Sequence, residues 1–454
     1  MSSILAWNDN ALETQRVDYD TTAPSNAQIS TPQQAGPVET ARAFAIVHLA
    51  MHEAATAFRT AGASQLDAAV AGAACQTLGA LYDRQAKAIQ TKAAVFVGAL
   101  PGTTDANRHA LYRGHVIGEK LLTARRADGF DAPEIYVPGM GPNQAAGVHV
   151  LDPLHQNQGF YGTQLGEMKP FCLKPAWKLI DYIDTYPAIG TADYTKDFTQ
   201  VKDLGAWDSV SRSANQTETG IFWAYDGSNK IGTPPRLYNQ CLRAIVDGKG
   251  LSEIELARLF ALVNIGLADA GIVAWRAKYH FALWRPTPGI RHAAAGADTA
   301  WRPLGAPSTN GMDWFVTPNF PSYPSGHATF GTTFFEIVRR FFVEKNGTPG
   351  NADLQDTGAA IPFDIQSDEY NGNNAGPDGI LRSMVTRHYA TLSDAIKDNI
   401  LSRVYLGVHW AFDGAKFDTM GNVDYGLTAG AKKIGGAAIG YRVAKHVFES
   451  CVKT

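Results

Sequence analysis

The amino-acid sequence predicts an all-α protein of two packed helical bundles, with an anion site in the C-terminal bundle. Apolar residues recur at three- to four-residue spacing through long segments, whereas the alternation typical of strands is sparse. Lysine, arginine, histidine and a Ser-Gly pair recur in three short segments of the second half. The length of 454 residues allows one large helical domain or two halves of ordinary size.

The first predicted bundle begins at Val38. From there to Phe58, Ala, Ile, Leu and Met keep helical spacing, and Pro37 stands where a first-turn proline is tolerated. Residues 67–100 are rich in alanine and predict one or two further helices. Small side chains let helix axes approach closely, which is typical of a bundle.

A long connection follows the first helices. Residues 133–207 are rich in Gly, Pro, Asp and Tyr and show little periodicity, so we expect an ordered but irregular segment. It divides the chain into a predicted N-terminal half, 1–206, and a C-terminal half, 207–454. We expect the two halves to pack as one compact unit.

The C-terminal half shows clearer helix signals. Ser252 and Glu255 form a capping-box pattern ahead of a long apolar segment. Further helices are expected at about 327–345 and 393–411, and a short one near the C-terminus. No fixed-period repeat or low-complexity tract interrupts this pattern.

Composition restricts the possible partners. A net charge of −3 and a pI near 6.5 argue against a nucleic-acid or membrane-surface binder. The first residues show no basic and apolar signal pattern, and no uncharged apolar run approaches 18 residues. We therefore expect a soluble protein without a conventional signal peptide, either cytoplasmic or exported by an unconventional route.

The cysteines indicate neither a metal site nor a disulfide scaffold. Cys75, Cys172, Cys241 and Cys451 are widely scattered and form no CxxC or Cys/His metal spacing. In a chain this long, the expected state is buried free thiols.

The first chemically suggestive segment is KYHFALWRP, which contains Lys278 and Arg285. Seven helical steps of about 100° end about 20° short of two full turns, so both cations would project from one helix face. A solvated basic stripe is the simpler interpretation. The intervening residues are mostly aromatic or apolar, however, and buried cations need an anion nearby.

The second segment is FPSYPSGHATFG. A helix beginning at His327 would leave free backbone N–H groups and positive dipole density at Ser325 and Gly326. The Ser325 hydroxyl adds a donor, and Gly326 lets the backbone approach a ligand closely. An ordinary serine N-cap beside a surface histidine is the alternative.

The third segment is SRVYLGVHWAFDGA. His409 and Asp413 lie four apart on the predicted helix, so the carboxylate could fix the imidazole tautomer. Arg403 lies six residues before His409, which is off that face unless the helix breaks between them. A histidine satisfied within the core is the alternative. Together, the three segments supply the cations, backbone donors and imidazoles that suit a tetrahedral oxyanion.

The order K-x6-R-P, P-S-G-H and S-R-x5-H-x3-D resembles the signature of vanadium-dependent haloperoxidases and of the acid phosphatase/phosphatidic acid phosphatase superfamily. ILAWNDNALETQRV, ARAFAIVHLAMHEA, WAYDGSNKIGTPPRLYNQ and ARLFALVNIGLADAGIVAW also resemble segments of fungal-type vanadium chloroperoxidases. The resemblance thus extends over most of the chain and implies a fold of two helical bundles.

The resemblance implies a role for each matching residue. His409 would be the axial ligand of vanadium in vanadate, and His327 would be the acid–base residue. The remaining oxyanion contacts would come from Lys278, Arg285, Arg403, Ser325 and Gly326, with Lys278 also catalytic. Asp226 and Asp413 would support Arg403 and His409, respectively. Trp275 and Phe320 match residues that line the halide side, and the phenylalanine favours chloride over bromide.

The implied activity is oxidation of chloride or bromide by hydrogen peroxide to hypohalous acid, which halogenates small organic nucleophiles. One alternative is a phosphatase in which His409 forms a phosphohistidine and His327 protonates the leaving group. Another is a non-catalytic oxyanion-binding scaffold. A homodimer is expected only as the commonest arrangement of soluble enzymes.

Other features favour ordinary structural interpretations. His48 and His52 lie four apart, but without HExxH we expect packing rather than metal binding. Residues 364–379 are acidic and match no EF-hand spacing, so a solvated loop is expected. Arg339 and Arg340 are interpreted as a charge pair at a helix C-terminus.

Overall fold

Helices form most of the chain, as the apolar spacing predicts. The computed structural model describes residues 2–26, 31–137, 146–174, 177–347 and 361–452. The helices before residue 207 are α1 (Ser3–Asp18), α2 (Pro37–Ala57), α3 (Ala63–Leu81), α4 (Ala86–Gly98), α5 (Thr104–Arg125) and α6 (Ala192–Leu204). Those after it are α7 (Ala214–Phe222), α8 (Pro234–Val246), α9 (Glu253–Phe281), α10 (Pro286–Arg291), α11 (Gly326–Lys345), α12 (Leu392–Tyr405), α13 (Ala411–Gly414) and α14 (Gly435–Ser450).

Strands are short and peripheral. They form two antiparallel pairs, β1 (Phe363–Gln366) with β2 (Thr386–Tyr389), and β3 (Lys416–Phe417) with β4 (Val423–Asp424). The all-α prediction is confirmed. The predicted irregular connection is mostly irregular, but it contains α6, which its composition did not reveal.

The central element is α9, a helix of 29 residues. It starts as the sequence predicts: the Ser252 hydroxyl accepts from the Glu255 backbone N–H, and the Glu255 carboxylate accepts from the Ser252 N–H at 2.9 Å. The helix then packs against α2, α11 and α14. Within the described ranges it is the one helix long and apolar enough to cross a membrane, yet its most apolar window is fully buried in the protein.

Packing against α9 crosses the expected boundary between the halves. The helix α2 belongs to 1–206, and α9 belongs to 207–454. The boundary itself stays a prediction. In α2, His48 is part of the core: its Nδ1 donates to the Phe44 carbonyl at 2.8 Å, and its Nε2 accepts from Asn8 at 3.0 Å.

A disulfide joins Cys172 to Cys451, with 6.0 Å between the Cα atoms. The prediction of four free thiols is therefore wrong for this pair, although Cys75 and Cys241 are free and buried as expected. The partners are 279 residues apart, so local spacing cannot reveal the pairing. Beside the bond, Asp269 of α9 accepts from the backbone N–H groups of residues 171–173.

Two further expectations are wrong. Residues 364–379 are not simply a solvated loop, because β1 enters the segment and Glu369 is buried against Arg382 at 2.7 Å. Arg339 and Arg340 are buried within α11 rather than solvated at its end, and Arg339 pairs with Glu336 at 3.1 Å. In both ion pairs a partner of opposite charge offsets part of the cost of removing the charge from water.

Glycines allow α3 and α5 to touch through their backbones. A Cβ added at Gly114 would lie 2.0 Å from the Ala69 carbonyl oxygen, and one added at Gly72 would lie 2.1 Å from that of Leu111. Both distances are far below van der Waals contact, so the two positions require glycine.

Gly114→Ala should therefore lower the free energy of unfolding by about 1–3 kcal/mol, because the helices must separate. Gly98→Ala is the matched control, since a Cβ there meets nothing within 4 Å. It should be neutral, or stabilising by about 0.4–1 kcal/mol. Denaturant titration of both variants measures the difference, and equal effects would contradict the close-packing argument.

Candidate oxyanion site

The three suggestive segments meet at one place. The C-terminal end of α9, the N-terminal end of α11 and the turn between α12 and α13 surround a cavity of about 280 Å³. The predicted site residues that line it are Asp226, Trp275, Phe320, Gly326, His327, Arg403 and His409. Arg285 and Asp413 lie directly behind this lining, each in contact with His409.

Lys278 lies in the last turn of α9 and is fully buried. Its ammonium group donates to the carbonyl oxygens of Pro321 at 2.8 Å, Ser322 at 3.2 Å and Pro324 at 2.6 Å. Burial lowers the pKa of Lys278 well below its ordinary value, with the Arg285 charge acting in the same direction. The three carbonyls oppose this shift, because only the ammonium form can donate to all of them.

Arg285 does not share a helix with Lys278, so the one-face prediction is wrong. Ala282 adopts a left-handed conformation with φ 45° and ends α9, and Arg285 is the N-cap of α10. The two cations nevertheless lie in the same buried cluster, because the chain folds back at this break. Burial lowers the pKa of Arg285 to about 9, an effect that the Asp413 carboxylate opposes.

The Arg285 guanidinium is held by backbone oxygens and an imidazole. Nε donates to the Phe320 carbonyl at 2.8 Å, and Nη1 donates to the Val408 carbonyl and to Nε2 of His409, both at 2.9 Å. Its Nη2 has no hydrogen-bond partner among the described residues.

The N-terminal end of α11 forms another wall. The helix begins at Gly326, one residue earlier than expected, and the Ser325 hydroxyl caps it by accepting from the Ala328 N–H at 3.3 Å. The Ser325 N–H donates to the Asp413 carbonyl at 2.8 Å, which joins the second and third motifs. A Cβ at Gly326 would lie 3.5 Å from Trp275, so glycine keeps this side of the cavity open.

His327 is not a surface residue. Its Nε2 donates to the Ala224 carbonyl at 2.6 Å, which leaves Nδ1 as the atom with a lone pair. Burial, assisted by the Arg403 charge, lowers the pKa of His327 to about 3. The side chain is therefore a neutral imidazole able to accept a proton at Nδ1.

Arg403 forms a two-pronged ion pair with Asp226. Nη1 donates to one carboxylate oxygen at 3.0 Å, and Nη2 donates to the other at 2.8 Å. Such a pair fixes the guanidinium plane. Its Nε is buried and unpaired among the described residues.

His409 and Asp413 do not lie on one helix, contrary to the prediction. The helix α12 ends at Tyr405, Gly407 adopts φ 70°, and α13 begins only at Ala411. This break brings Arg403 and His409 to the same cavity. Nδ1 of His409 still donates to the Asp413 carboxylate at 2.8 Å, so Nε2 carries the lone pair that a metal ligand needs.

Asp413 is a buried carboxylate with several donors. Besides His409, it accepts from the Trp410 N–H at 3.0 Å and from the Ser322 hydroxyl. Burial raises its pKa, whereas the Ser322 hydrogen bond and the charges of Lys278 and Arg285 lower it. Ser322 was not predicted, although it lies inside the FPSYPSGH segment that was singled out.

The remaining wall is aromatic. The ring centroids of Trp275 and Phe320 are 4.9 Å apart, and Tyr161 packs beside both. The Lys278 ammonium lies 5.0 Å from the Phe320 centroid. Tyr161 belongs to the irregular connection, where no periodic signal could identify it.

These residues fit a tetrahedral oxyanion such as vanadate. Among the described residues, the three cations Lys278, Arg285 and Arg403 have two carboxylates beside them, those of Asp226 and Asp413, so positive charge is in excess. The buried Nε of Arg403, a residue of the cavity lining, lacks an acceptor within the described chain. An oxyanion in the cavity would compensate the charge and supply acceptors.

Comparison with known proteins concerns the family of the chain. A family model described as the VCPO second helical-bundle domain matches residues 258–424. Vanadium chloroperoxidase of Curvularia inaequalis is 32% identical over 496 aligned positions, which cover 91% of this chain and 79% of that protein. The chain belongs to the vanadium haloperoxidase family.

Solved structures of the same class share the fold. The first bacterial vanadium-dependent iodoperoxidase superimposes with a TM-score of 0.69 at 16% identity, covering 99% of this chain and 96% of that one. A holo-type bacterial vanadium-dependent chloroperoxidase gives 0.61 at 15% identity, covering 92% and 93%. At such low identity these two likenesses concern the fold alone.

In protein free of vanadate, His327 should remain neutral from pH 7 down to about pH 4. The folded-state pKa of about 3 lies below the ordinary value of 6.5, so protonation is delayed until the pH falls well below 6.5. Phosphate bound beside Arg403 should raise the pKa, because nearby negative charge favours the imidazolium. NMR titration of isotopically labelled histidine, assigned with His327→Gln, measures both values. A midpoint near 6.5 without phosphate would contradict the expected burial effect.

Proposed function

We propose that the chain oxidises a halide with hydrogen peroxide to hypohalous acid, using bound vanadate, and that the acid halogenates small organic nucleophiles. The observation that carries this proposal is the deprotonated Nε2 of His409, whose lone pair accepts only from Arg285 among the described residues, in an imidazole fixed by Asp413 beside buried cations. A membrane or nucleic-acid partner has no part in it.

His409 would be the metal ligand. Because Asp413 accepts the Nδ1 proton, Nε2 is available for coordination. Lys278, Arg285, Arg403, the Ser325 hydroxyl and the Gly326 N–H would hold the oxyanion's other oxygens. Bound vanadate supplies a Lewis acid that makes peroxide oxygen more electrophilic.

The guanidinium and ammonium groups would stabilise negative charge in a site sheltered from water. Arg285 must release Nε2 of His409 before a metal can bind there, since Nη1 now donates to that atom. Lys278 can contribute a hydrogen bond by exchanging one of its three carbonyl partners. Asp226 keeps Arg403 in place during this change.

His327 would act as the base. The Ala224 carbonyl holds the ring proton on Nε2, so Nδ1 would accept a proton from incoming hydrogen peroxide and later donate it to hypohalite, which leaves as hypohalous acid. This transfer requires a neutral imidazole, and the lowered pKa of about 3 maintains that state. An oxyanion nearby raises the pKa and makes Nδ1 a stronger base.

Chloride is the halide we propose, because the wall formed by Trp275 and Phe320 is aromatic and lies beside cations. Relatives include enzymes named as chloroperoxidases and as an iodoperoxidase. None of these comparisons favours the phosphatase alternative.

The disulfide supports a proposal about the cellular setting. Disulfides persist mainly in oxidising compartments, so the bond between Cys172 and Cys451 favours export over a cytoplasmic location. The homodimer and the boundary between residues 206 and 207 stay predictions. Size measurement in solution would test the former.

His409→Ala should abolish retention of vanadate after gel filtration, because the ligand atom is removed. Asp413→Asn should weaken retention by about 10–100-fold, since a partner that orients a ligand is lost. Vanadium analysis of the protein fraction measures both effects, with His155→Ala as a control outside the cavity. Full retention by His409→Ala would exclude this residue as the ligand.

Wild-type protein with vanadate should halogenate a β-diketone in the presence of chloride as well as bromide. Phe320→His should lower the chloride-to-bromide ratio of kcat/KM by about tenfold, equivalent to ~1.4 kcal/mol, because a polar imidazole replaces the apolar phenyl ring beside Lys278. Phe281→His is the control, because this ring lies outside the cavity. An unchanged ratio would remove Phe320 from halide selection, and vanadate-dependent activity absent with every halide would refute the proposed function.

A further inference from the structure

A second, smaller chamber lies on another side of Arg285. Its lining includes His149, Asp152, Phe160, Arg285 and Pro288. The chamber leaves about 10 Å³ for the centre of a water-sized guest, which is room for one water molecule. Arg285 therefore contacts both the oxyanion cavity, through His409, and this separate chamber.

His149 is the unusual residue of the chamber. Its side chain is 2% exposed, and neither ring nitrogen has a hydrogen-bond partner among the described residues. Burial, together with the charges of Arg285 and Lys278, lowers its pKa well below the ordinary value. The ring is consequently neutral, with one N–H donor and one lone pair left unsatisfied. Leaving such groups unpaired in the interior is costly.

The backbone fixes His149 next to the break that carries Arg285. The His149 N–H donates to the Ala282 carbonyl at 2.7 Å, and Val148 forms an antiparallel bridge with Leu283. Rings of Tyr136 and Phe160 pack against the imidazole, with centroids at 6.1 and 5.5 Å. The imidazole thus has a fixed position.

Arg285 has an unsatisfied hydrogen-bond donor, which complements the unsatisfied lone pair of His149. Its Nε and Nη1 are engaged, but Nη2 lacks an acceptor within the described chain. A water molecule can accept from Nη2 and donate to the His149 lone pair, whereas a halide ion cannot donate. The Asp152 carboxylate in the lining also disfavours an anion there, even though it accepts from the Leu154 N–H at 2.9 Å.

We propose that one buried water links Arg285 to His149, and that His149 is a positioning residue for the oxyanion site. When a ligand takes Nε2 of His409, Arg285 loses the hydrogen bond from Nη1 to that atom. The bonds to the Phe320 and Val408 carbonyls then remain. The water link supplies the further anchor that keeps the guanidinium directed at the oxyanion. The role in oxyanion binding rests on the proposed function, whereas the water link does not.

The water link is tested on vanadate-free wild-type crystals soaked in bromide. We expect density for one atom within hydrogen-bond distance of Arg285 Nη2 and a His149 ring nitrogen, without bromine anomalous signal. An empty chamber, or Nη2 bonded to another protein group, would overturn the link. A bromine peak would replace it with a halide site.

The positioning role is tested by equilibrium dialysis against vanadate with vanadium analysis. His149→Phe should weaken binding about tenfold, as loss of a supporting partner does, and His149→Gln should restore most of it because an amide both donates and accepts. His109→Phe, at an exposed position on α5 outside the chamber, should bind as wild type. Equal affinity of His149→Phe and wild type, or equal weakening in the Phe and Gln variants, would overturn the role.

These outcomes are separable from failure of the proposed function. Wild-type protein that binds no vanadate would refute the function and the positioning role together, while the crystallographic result would stand. If His149→Phe does not fold, His149→Leu takes its place, because this side chain also neither donates nor accepts a hydrogen bond. A thermal midpoint measured for each variant separates lost stability from lost affinity.

Discussion

The site depends on the hydrogen bonds that Asp413 accepts. Its carboxylate accepts from His409, Trp410 and Ser322, and its backbone carbonyl accepts from Ser325. One residue therefore ties together the turn after α12, the proline-rich segment and the start of α11. Because the carboxylate is buried, its charge is stabilised chiefly by these donors and by the neighbouring cations. Loss of one donor would leave the buried carboxylate poorly compensated. The contacts of Asp413 therefore depend on one another.

The cations are stabilised in a different way. Lys278 uses carbonyl oxygens as its partners, and Arg285 uses two carbonyls and an imidazole. Carbonyl dipoles stabilise positive charge without neutralising it. The protein thereby keeps a positive potential in a water-poor cavity, which a buried salt bridge at each cation would have removed. Arg403 alone is matched directly, by Asp226.

Much of the site could be predicted from the sequence, because its residue types are unusual in combination. The residue types and their order along the chain predicted that these residues come together. They did not predict the local backbone geometry. Ala282 ends α9 in a left-handed conformation without the glycine that usually marks it, so Lys278 and Arg285 looked helical throughout. Gly407 was visible inside the third segment and could have indicated a break. His149 lies in an irregular connection, where periodicity carries no information.

The state of the cysteines has a consequence for an enzyme whose product is a strong oxidant. Hypohalous acid attacks thiolates readily, and reactivity follows thiolate content and accessibility. In this chain, Cys172 and Cys451 are already joined, while burial raises the pKa of the Cys75 and Cys241 thiols. No cysteine presents an accessible thiolate, so self-inactivation through sulfur would fall instead on exposed methionines such as Met312. Protection of its cysteines from its own product thus follows from where this protein places them.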